Sequence, residues 1–555
     1  MAIKTLATAF RVRHDDLDDI AFQNLKDGNT AMPPAVPAPP YRHAAPSGPW
    51  PWMDFDVEST TSTTAIDPSW RGYPQNQFGN WTPDQVERSK MLEKCLGNKS
   101  STIYRMDVHD DRSFASPDIG GDSCTMVVGV ENENEFWGVL QEERPENIRV
   151  RSIFVDDLTS PVLRMLGTTL LILRYNIEPF FFTSSINWIP SRYQEAPIQN
   201  KGDHITITLP FVRTLRKNSR SAPASPTPLS QSSNTLINTQ APFPMSDGSM
   251  LFIDLLAIHM VRDVKTSTII SYHPESTWCR TSAKRLHSLM QLVGGSVYWQ
   301  KIFDKSKDPT FLFLAILWYP LYAWDESFEL LYTHVSELES KVLQASDTEL
   351  ARELHVLQAH LLQYQALLHN FQVSVQFIAK THNPAMDSSD ALERDESMKL
   401  MDSESQNLLS EIDRLEKRRG MLTNRLKNVM DLAFATVNLN DSKQTRKLTE
   451  ATVRDSAAMK QISYLTMIFL PASFLASVFG MNVGEFSSGG LQTLTHYVEV
   501  TVSLTLLTIY TVVTLQTHSS FHDPNAPFLR RAVWPALTFW KMMHKPKEKT
   551  MEDMV

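Results

Sequence analysis

The chain has 555 residues, a formal net charge of −9, 42% hydrophobic and 21% charged residues. That balance fits a multidomain protein that is mostly of ordinary soluble composition, and it argues against a nucleic-acid binder. Cys95, Cys124 and Cys279 are far apart and make no CxxC, so neither a zinc ribbon nor a disulfide framework is expected, and reduced structural cysteines in the cytosol are.

Residues 1–101 read as mostly irregular, with the proline-rich run "AMPPAVPAPPYRHAAPSGPWPW" extended. The opening holds Lys4, Arg11 and Arg13 before its first acid, Asp15. This faintly resembles a mitochondrial presequence, and no secretory signal is visible. Residues 102–325 read as a cytosolic α/β domain. Strand-like runs are "CTMVVGV", "FWGVL", "RVRSIFV", "HITITLPFV", "MLFIDLLAIHMV" and "TSTIISYH", with helical patterns from Ser282 onward. Strands first and helices later give an α+β order. A low-complexity insert at 217–244 is expected to be a surface loop. The apolar run 309–324 is only 16 residues long and holds Pro320, so it reads as a buried helix of this domain rather than a membrane span.

Residues 326–460 read as a helical stalk. Leu350, Leu354, Leu357, Leu361, Tyr364 and Leu368 fall at heptad spacing, and so do Leu408, Ile412, Leu415, Leu422, Leu426 and Val429. "THNPAMDSSD" interrupts the two patterns. No strong breaker stands after Met421, so a stalk helix is expected to run on into the segment that follows.

That segment carries no charge and no histidine from 461 to 484, 24 residues in all. As a helix it is about 36 Å long, against a hydrocarbon core of about 30 Å. A first transmembrane helix is placed at 461–483, a connecting loop at 484–496, a second helix at 497–516 and a basic tail at 517–555. Arg446, Lys447, Arg454 and Lys460 precede the pair, Arg530, Arg531, Lys541, Lys545, Lys547 and Lys549 follow it, and the loop has neither residue type. The positive-inside rule puts both termini in the cytoplasm or its equivalent. In the tail, Phe528, Trp534, Phe539 and Trp540 alternate with basic residues, as in an interfacial helix.

Within the first span Met459, Ser463, Thr466, Leu470, Ser473, Ser477 and Gly480 share one helical face, and most are small or hydroxylic. Leu465, Ile468, Phe469, Ala472, Leu475, Ala476 and Phe479 form an apolar opposite side. Two readings stand. The stripe is a close-packing face, or it is the wall of a water-lined pore in which Met459 and Leu470 are apolar constrictions. Asn482 at the span's end is either a helix cap behind Gly480 or a ring of carboxamide acceptors for a hydrated ion. Magnesium sheds its water reluctantly, so such a ring holds the ion through its water protons.

Lys460, Pro471 and the tripeptide Gly480-Met481-Asn482, in a C-terminal hairpin behind a long helical stalk, resemble the CorA family of divalent-cation channels. The match covers roughly residues 400–520. "RYNIEPFFFTSSINWIPSRYQ" at 174–194 further resembles the fungal CorA-like branch, and "TTLLIL" before it stands as an addition. The resemblance implies a CorA-like funnel: an α+β cytosolic domain, long stalk helices and a two-helix transmembrane hairpin, assembled as a homopentamer in membrane lipid. It implies passive Mg2+ uptake driven by membrane potential. Zn2+, Co2+ or Ni2+ transport and a non-conducting coiled-coil scaffold are the alternatives. Gly480, Met481, Asn482 and Glu485 would form the selectivity and ion-binding mouth. Met459, Ser463, Thr466, Leu470, Ser473 and Ser477 would line the pore. Beyond Glu485 the loop is poor in acids, unlike the family pattern. Mg2+ would be cargo and regulator; no other cofactor, no enzymatic activity and no nucleic acid are expected, in line with the absence of GxxxxGK followed by Ser or Thr. For a regulatory site Asp110, Asp111, Asp156 and Asp157 are candidates by charge alone, with solvated loop acids the plainer reading. The plasma membrane is favoured and the mitochondrial inner membrane is the alternative.

Overall fold

The computed structural model describes residues 67–79, 81–89, 91–92, 100–116, 125–172, 177, 179–195, 202–215, 237–263, 266–273, 281–344, 348–481 and 494–515, with Val533, Trp540 and Met543. The three cysteines, the proline-rich run, residues 217–236 of the insert, Asn482 and Glu485 lie outside them. The chain divides into two units, 1–436 and 437–555.

The first unit is built on one mixed sheet. Its strands are β1 (Ser101–His109), β2 (Phe114–Ala115), β3 (Thr125–Val128), β4 (Ile148–Asp156), β5 (Ser191–Gln194), β6 (Asp203–Leu215), β7 (Phe243–Pro244), β8 (Met250–Arg262) and β9 (Ser267–His273). The order is β2-β1-β4-β9-β8-β6-β5, with β3 on β1 and β7 on β8. Only β4–β9 is parallel among these pairs. β6 and β8 are buried on both faces almost throughout, which is why they read as continuous apolar runs. Pro210 lies past the last pair of β5 with β6, Ser191–Thr208, where β6 no longer needs a donor on that side.

Short helices cover the sheet: α1 (Pro83–Ser89), α2 (Glu133–Gln141), α3 (Ser160–Ile172), α4 (Phe180–Ile186), α5 (Ala283–Gly294) and α6 (Val297–Lys305). The run "FWGVL", read above as a strand, is part of α2. Glu133 and Glu135 fill its first turn, favourable at a helix N-terminus, and only Phe136 is fully buried, a helical rather than a two-residue rhythm. Part of the irregular N-terminal region is also built into the fold. Trp70, Tyr73, Trp81, Val86 and Met91 are buried, and the Tyr73 hydroxyl donates to the Ile177 carbonyl at 2.8 Å. A Cβ on Gly167 of α3 would overlap the Tyr73 ring, so glycine is what lets this segment close on α3. The end of the insert is sheet as well, since Phe243 and Pro244 pair with Leu251 and Met250.

Then come α7 (Thr310–Gln344), α8 (Thr348–Lys380) and α9 (Ala391–Phe479). α7 begins at Thr310, well before the stalk start placed at 326. Its first half, with Phe311, Phe313 and Leu317, is buried, as expected for the 309–324 run, and the helix passes through Pro320. The heptad residues of both patterns are buried. Trp324 meets Tyr364 edge-on at 5.9 Å. In the second unit α9 ends at Phe479 and α10 spans Leu494–Leu515.

Candidate pore-lining stripe

Among the described residues one helix, α9, is long and apolar enough to cross a membrane. α10, with 22 residues, is about 33 Å long. Tyr497 of α10 donates its hydroxyl to the Ala472 carbonyl at 3.2 Å, and its ring stands edge-on to Phe479 at 5.8 Å. Pro471 and Leu475 are buried, and Met467, Ala472, Val478 and Phe479 are partly so. These six residues define the least exposed face of this segment, and Ala472 and Phe479 on it meet Tyr497 of α10. Pro471 lies inside it, so the missing helical donor opposite the Met467 carbonyl falls where a neighbouring helix packs.

At about 100° per residue, the stripe of Met459, Ser463, Thr466, Leu470, Ser473 and Ser477 is centred roughly half a turn from that face. All six are exposed in the single chain, Met459 at 73% and Leu470 at 64%. Each hydroxyl donates to a carbonyl about one turn earlier. Ser463 bonds Met459 at 2.9 Å, Thr466 bonds Ile462 at 2.7 Å, Ser473 bonds Leu470 at 3.0 Å and Ser477 bonds Ser473 at 2.9 Å. With their protons used internally, these oxygens offer lone pairs outward. The stripe is therefore acceptor-rich, which suits water molecules oriented by a cation.

The Gly480 N–H bonds the Ala476 carbonyl at 3.0 Å and the Met481 N–H bonds Val478 at 3.3 Å. Among the described glycines positive φ occurs only at Gly202 and Gly248. Gly480 thus extends the last helical turn and is not the left-handed cap that glycine often supplies. Asn482 and Glu485 lie outside the described residues.

The four acids considered for a regulatory site fall in two places. Asp110 and Asp111 follow β1, whereas Asp156 pairs with Thr102 at its other end, roughly 25 Å away by strand rise. Asp111 is exposed and bonds the Ser113 N–H at 2.9 Å and its hydroxyl at 2.6 Å, which holds its pKa below the usual value. Asp156 corrects the reading of solvated acids. It is buried, 5% exposed, and accepts the Ala283 N–H at 2.6 Å and the Lys284 N–H at 3.3 Å at the start of α5. Burial pushes its pKa up to about 6 against the pull of those bonds. Asp157 has φ 54° and donates its N–H to His273 at 3.0 Å. Among the described residues no three histidine, cysteine or acidic side chains are placed to hold a metal ion.

Tyr497 was not legible as a contact, although an aromatic residue opening the second span opposite a proline in the first is a usable signal.

Residues 283–516 match the family model described as "CorA-like Mg2+ transporter protein". The complete CorA magnesium transporter of Methanocaldococcus jannaschii is similar at 14% identity over 76% of this chain and 98% of its own, with a TM-score of 0.36. The soluble domain of that protein aligns at 14% identity over 53% and 92%, TM-score 0.32. The full-length CmaX protein aligns at 12% identity over 75% and 99%, TM-score 0.29. A comparison with curated proteins gave no match.

Proposed function

We propose that the chain is a passive, homo-oligomeric membrane channel for divalent cations, with Mg2+ as cargo, a reading supported by the match of residues 283–516 to the CorA-like Mg2+ transporter family model. The observation that carries this reading is the stripe. Its hydroxyls spend their protons on their own helix, and it faces away from the side that α10 covers. Bonded in this way the hydroxyls are tolerated in hydrocarbon, but their outward lone pairs gain donors where copies of the same helix surround an aqueous path. Fivefold assembly and cytoplasmic termini, in the plasma membrane, are part of the proposal.

Within it, Met459 and Leu470 narrow the path. Ser463, Thr466, Ser473 and Ser477 form wetter rings between and beyond them. Gly480, Met481 and Asn482 make the mouth, where Asn482 holds the hydrated ion through its water shell, and Glu485 draws cations to it. No energy source beyond the membrane potential is required, since a divalent cation gains about 5 kcal/mol across 100 mV, inside negative.

The test is Mg2+ influx into liposomes that hold the purified full chain, with Co2+ and Zn2+ as competitors. Potential-driven Mg2+ entry is the expected result. Entry of Zn2+ or Co2+ with exclusion of Mg2+ would reassign the cargo, and no influx of any of them would overturn the channel.

A further inference from the structure

Arg262 ends β8 and Asp203 begins β6, and the two face each other in the ladder. Both side chains are 0% exposed. The Arg262 Nε donates to Asp203 Oδ1 at 2.6 Å, and Nη2 donates to Oδ2. The other donations leave the sheet. Nη2 reaches the His382 carbonyl at 2.9 Å. Nη1 reaches the Thr381 carbonyl at 3.3 Å and Thr310 Oγ1 at 3.4 Å. α8 ends at Lys380 and α7 begins at Thr310. One guanidinium therefore joins two strands to the start of α7 and to the first carbonyls beyond α8.

A second set of bonds holds the same corner. Asp308 Oδ1 accepts the Thr310 N–H at 2.8 Å and the Asn383 amide at 2.7 Å. The hydroxyls of Ser306 and Ser397 meet at 2.6 Å, and Ser397 lies in the second turn of α9. A buried ion pair is a poor way to gain stability, because desolvation cancels most of the attraction, and apolar residues of similar volume often do as well. What they cannot do is present a rigid planar fork that satisfies a carboxylate and two carbonyls at once. The arrangement specifies geometry rather than adding stability.

We propose that Arg262 is a positioning residue for transport: it fixes the corner from which α9 departs, and so the first turns of the helix whose far end carries the stripe. This rests on the transport reading above.

The test uses the full chain in liposomes. Asp203→Asn with Arg262→Gln removes both charges, so that neither is left buried alone. Hydrogen exchange of amides 381–401 should rise about tenfold or more, a local opening, while strands β6 and β8 keep their protection. Mg2+ flux per assembled protein should change at least threefold, with Arg262→Lys intermediate. Asn383→Ala loosens the same corner from outside the sheet and takes over where the double variant does not fold. Unchanged exchange at 381–401 overturns the proposal. Faster exchange there with wild-type flux overturns it too, since the corner would then be only structural. A wild-type chain without flux defeats the transport reading first, and this role with it.

Discussion

Tyr497 gives its hydroxyl proton to the carbonyl oxygen of Ala472, 3.2 Å away, one residue past Pro471. The bond crosses between two apolar helices at the face where the apolar end of α9 is least exposed. Replacing Tyr497 with Phe keeps the edge contact with Phe479 and deletes the bond alone. A bond of this kind between membrane helices contributes about 0.6 kcal/mol, up to roughly 1.7. Tyr497→Phe should therefore lower thermal stability in detergent slightly and leave flux close to wild type. A large loss of flux with unchanged stability would show that this side, too, faces the ion path.

Asn482→Ala tests the mouth. Asn482 carries the only side-chain carboxamide between 462 and 491, so its loss should abolish or strongly reduce Mg2+ flux while membrane insertion and assembly persist. Flux at the wild-type level would remove Asn482 from the selectivity ring.

The close approach of Tyr73 to Gly167 gives a sharper stability test. Gly167→Ala puts a methyl group where the Tyr73 ring lies, and Gly167 is inside α3, where alanine is otherwise the better residue by about 1 kcal/mol. Overpacking of this kind costs about 1–3 kcal/mol. The variant should be less stable than wild type, and residues 67–92 should become sensitive to protease. In Tyr73→Ala, Gly167→Ala should be neutral or stabilising. An additive pair of effects would refute the steric account.

Acid should weaken the first unit. His204, His259, His273, His334 and His360 are buried. Burial depresses all five, to about 4 for His204, His273, His334 and His360 and well below the ordinary value for His259. Their unfolded value is about 6.5. Between these values the unfolded chain binds protons that the folded chain refuses, so stability falls as pH drops from about 6.5 towards 4, by at most about 3 kcal/mol per ring. Asp156 opposes this, because its raised pKa lets the folded state bind a proton below about 6. Glu195 and Glu353, also raised by burial, act in the same direction as Asp156, and the five rings outweigh these carboxyls. The melting temperature in detergent should be clearly lower at pH 5 than at pH 7, and an unchanged melt would contradict the neutral buried rings.

Much of this architecture was legible, and the reason is periodicity. Leu354, Leu357, Leu361, Leu415 and Leu422 repeat at heptad spacing and are buried, because long helices leave a pattern that survives local noise. The apolar runs of β6, β8 and β9 were legible for a different reason: strands buried on both faces read as unbroken apolar stretches. β1 was not, since Arg105 and Asp107 break its alternation. Both charges are paired within the sheet, Arg105 with Asp107 at 2.6 Å and Asp107 with Arg151 at 3.1 Å. Pairing across strands leaves no mark on one strand's pattern. "FWGVL" misled because a short apolar run does not distinguish strand from helix. Asp156 and Arg262 looked like any charged residue at a strand end; their roles depend on partners 127 and 59 positions away. The stripe itself was legible as a face of α9, but that it lies opposite the α10 contact depends on where Tyr497 packs.

That opposition gives the decisive test of the pore. Leu470 sits on the stripe and Phe469 lies about 100° around the helix; both are exposed in the single chain, at 64% and 61%. If the stripe lines a water path, Leu470 excludes water by its bulk and apolarity, and Leu470→Ser wets that constriction. Resting Mg2+ leak should then rise, with poorer discrimination against Co2+. If the stripe is a dry packing face, the same change adds one hydroxyl to an interface that already holds Ser463, Thr466, Ser473 and Ser477, with an effect of about 1 kcal/mol or less on assembly. Phe469→Ser is the control, because it lies off the stripe and should alter stability rather than leak. Resting flux is measured for both variants at matched amounts of assembled protein in the membrane. A raised leak in Leu470→Ser alone places Leu470 at a gate. Equal and unchanged leak in the two would make the stripe a packing surface and the chain a membrane-anchored scaffold.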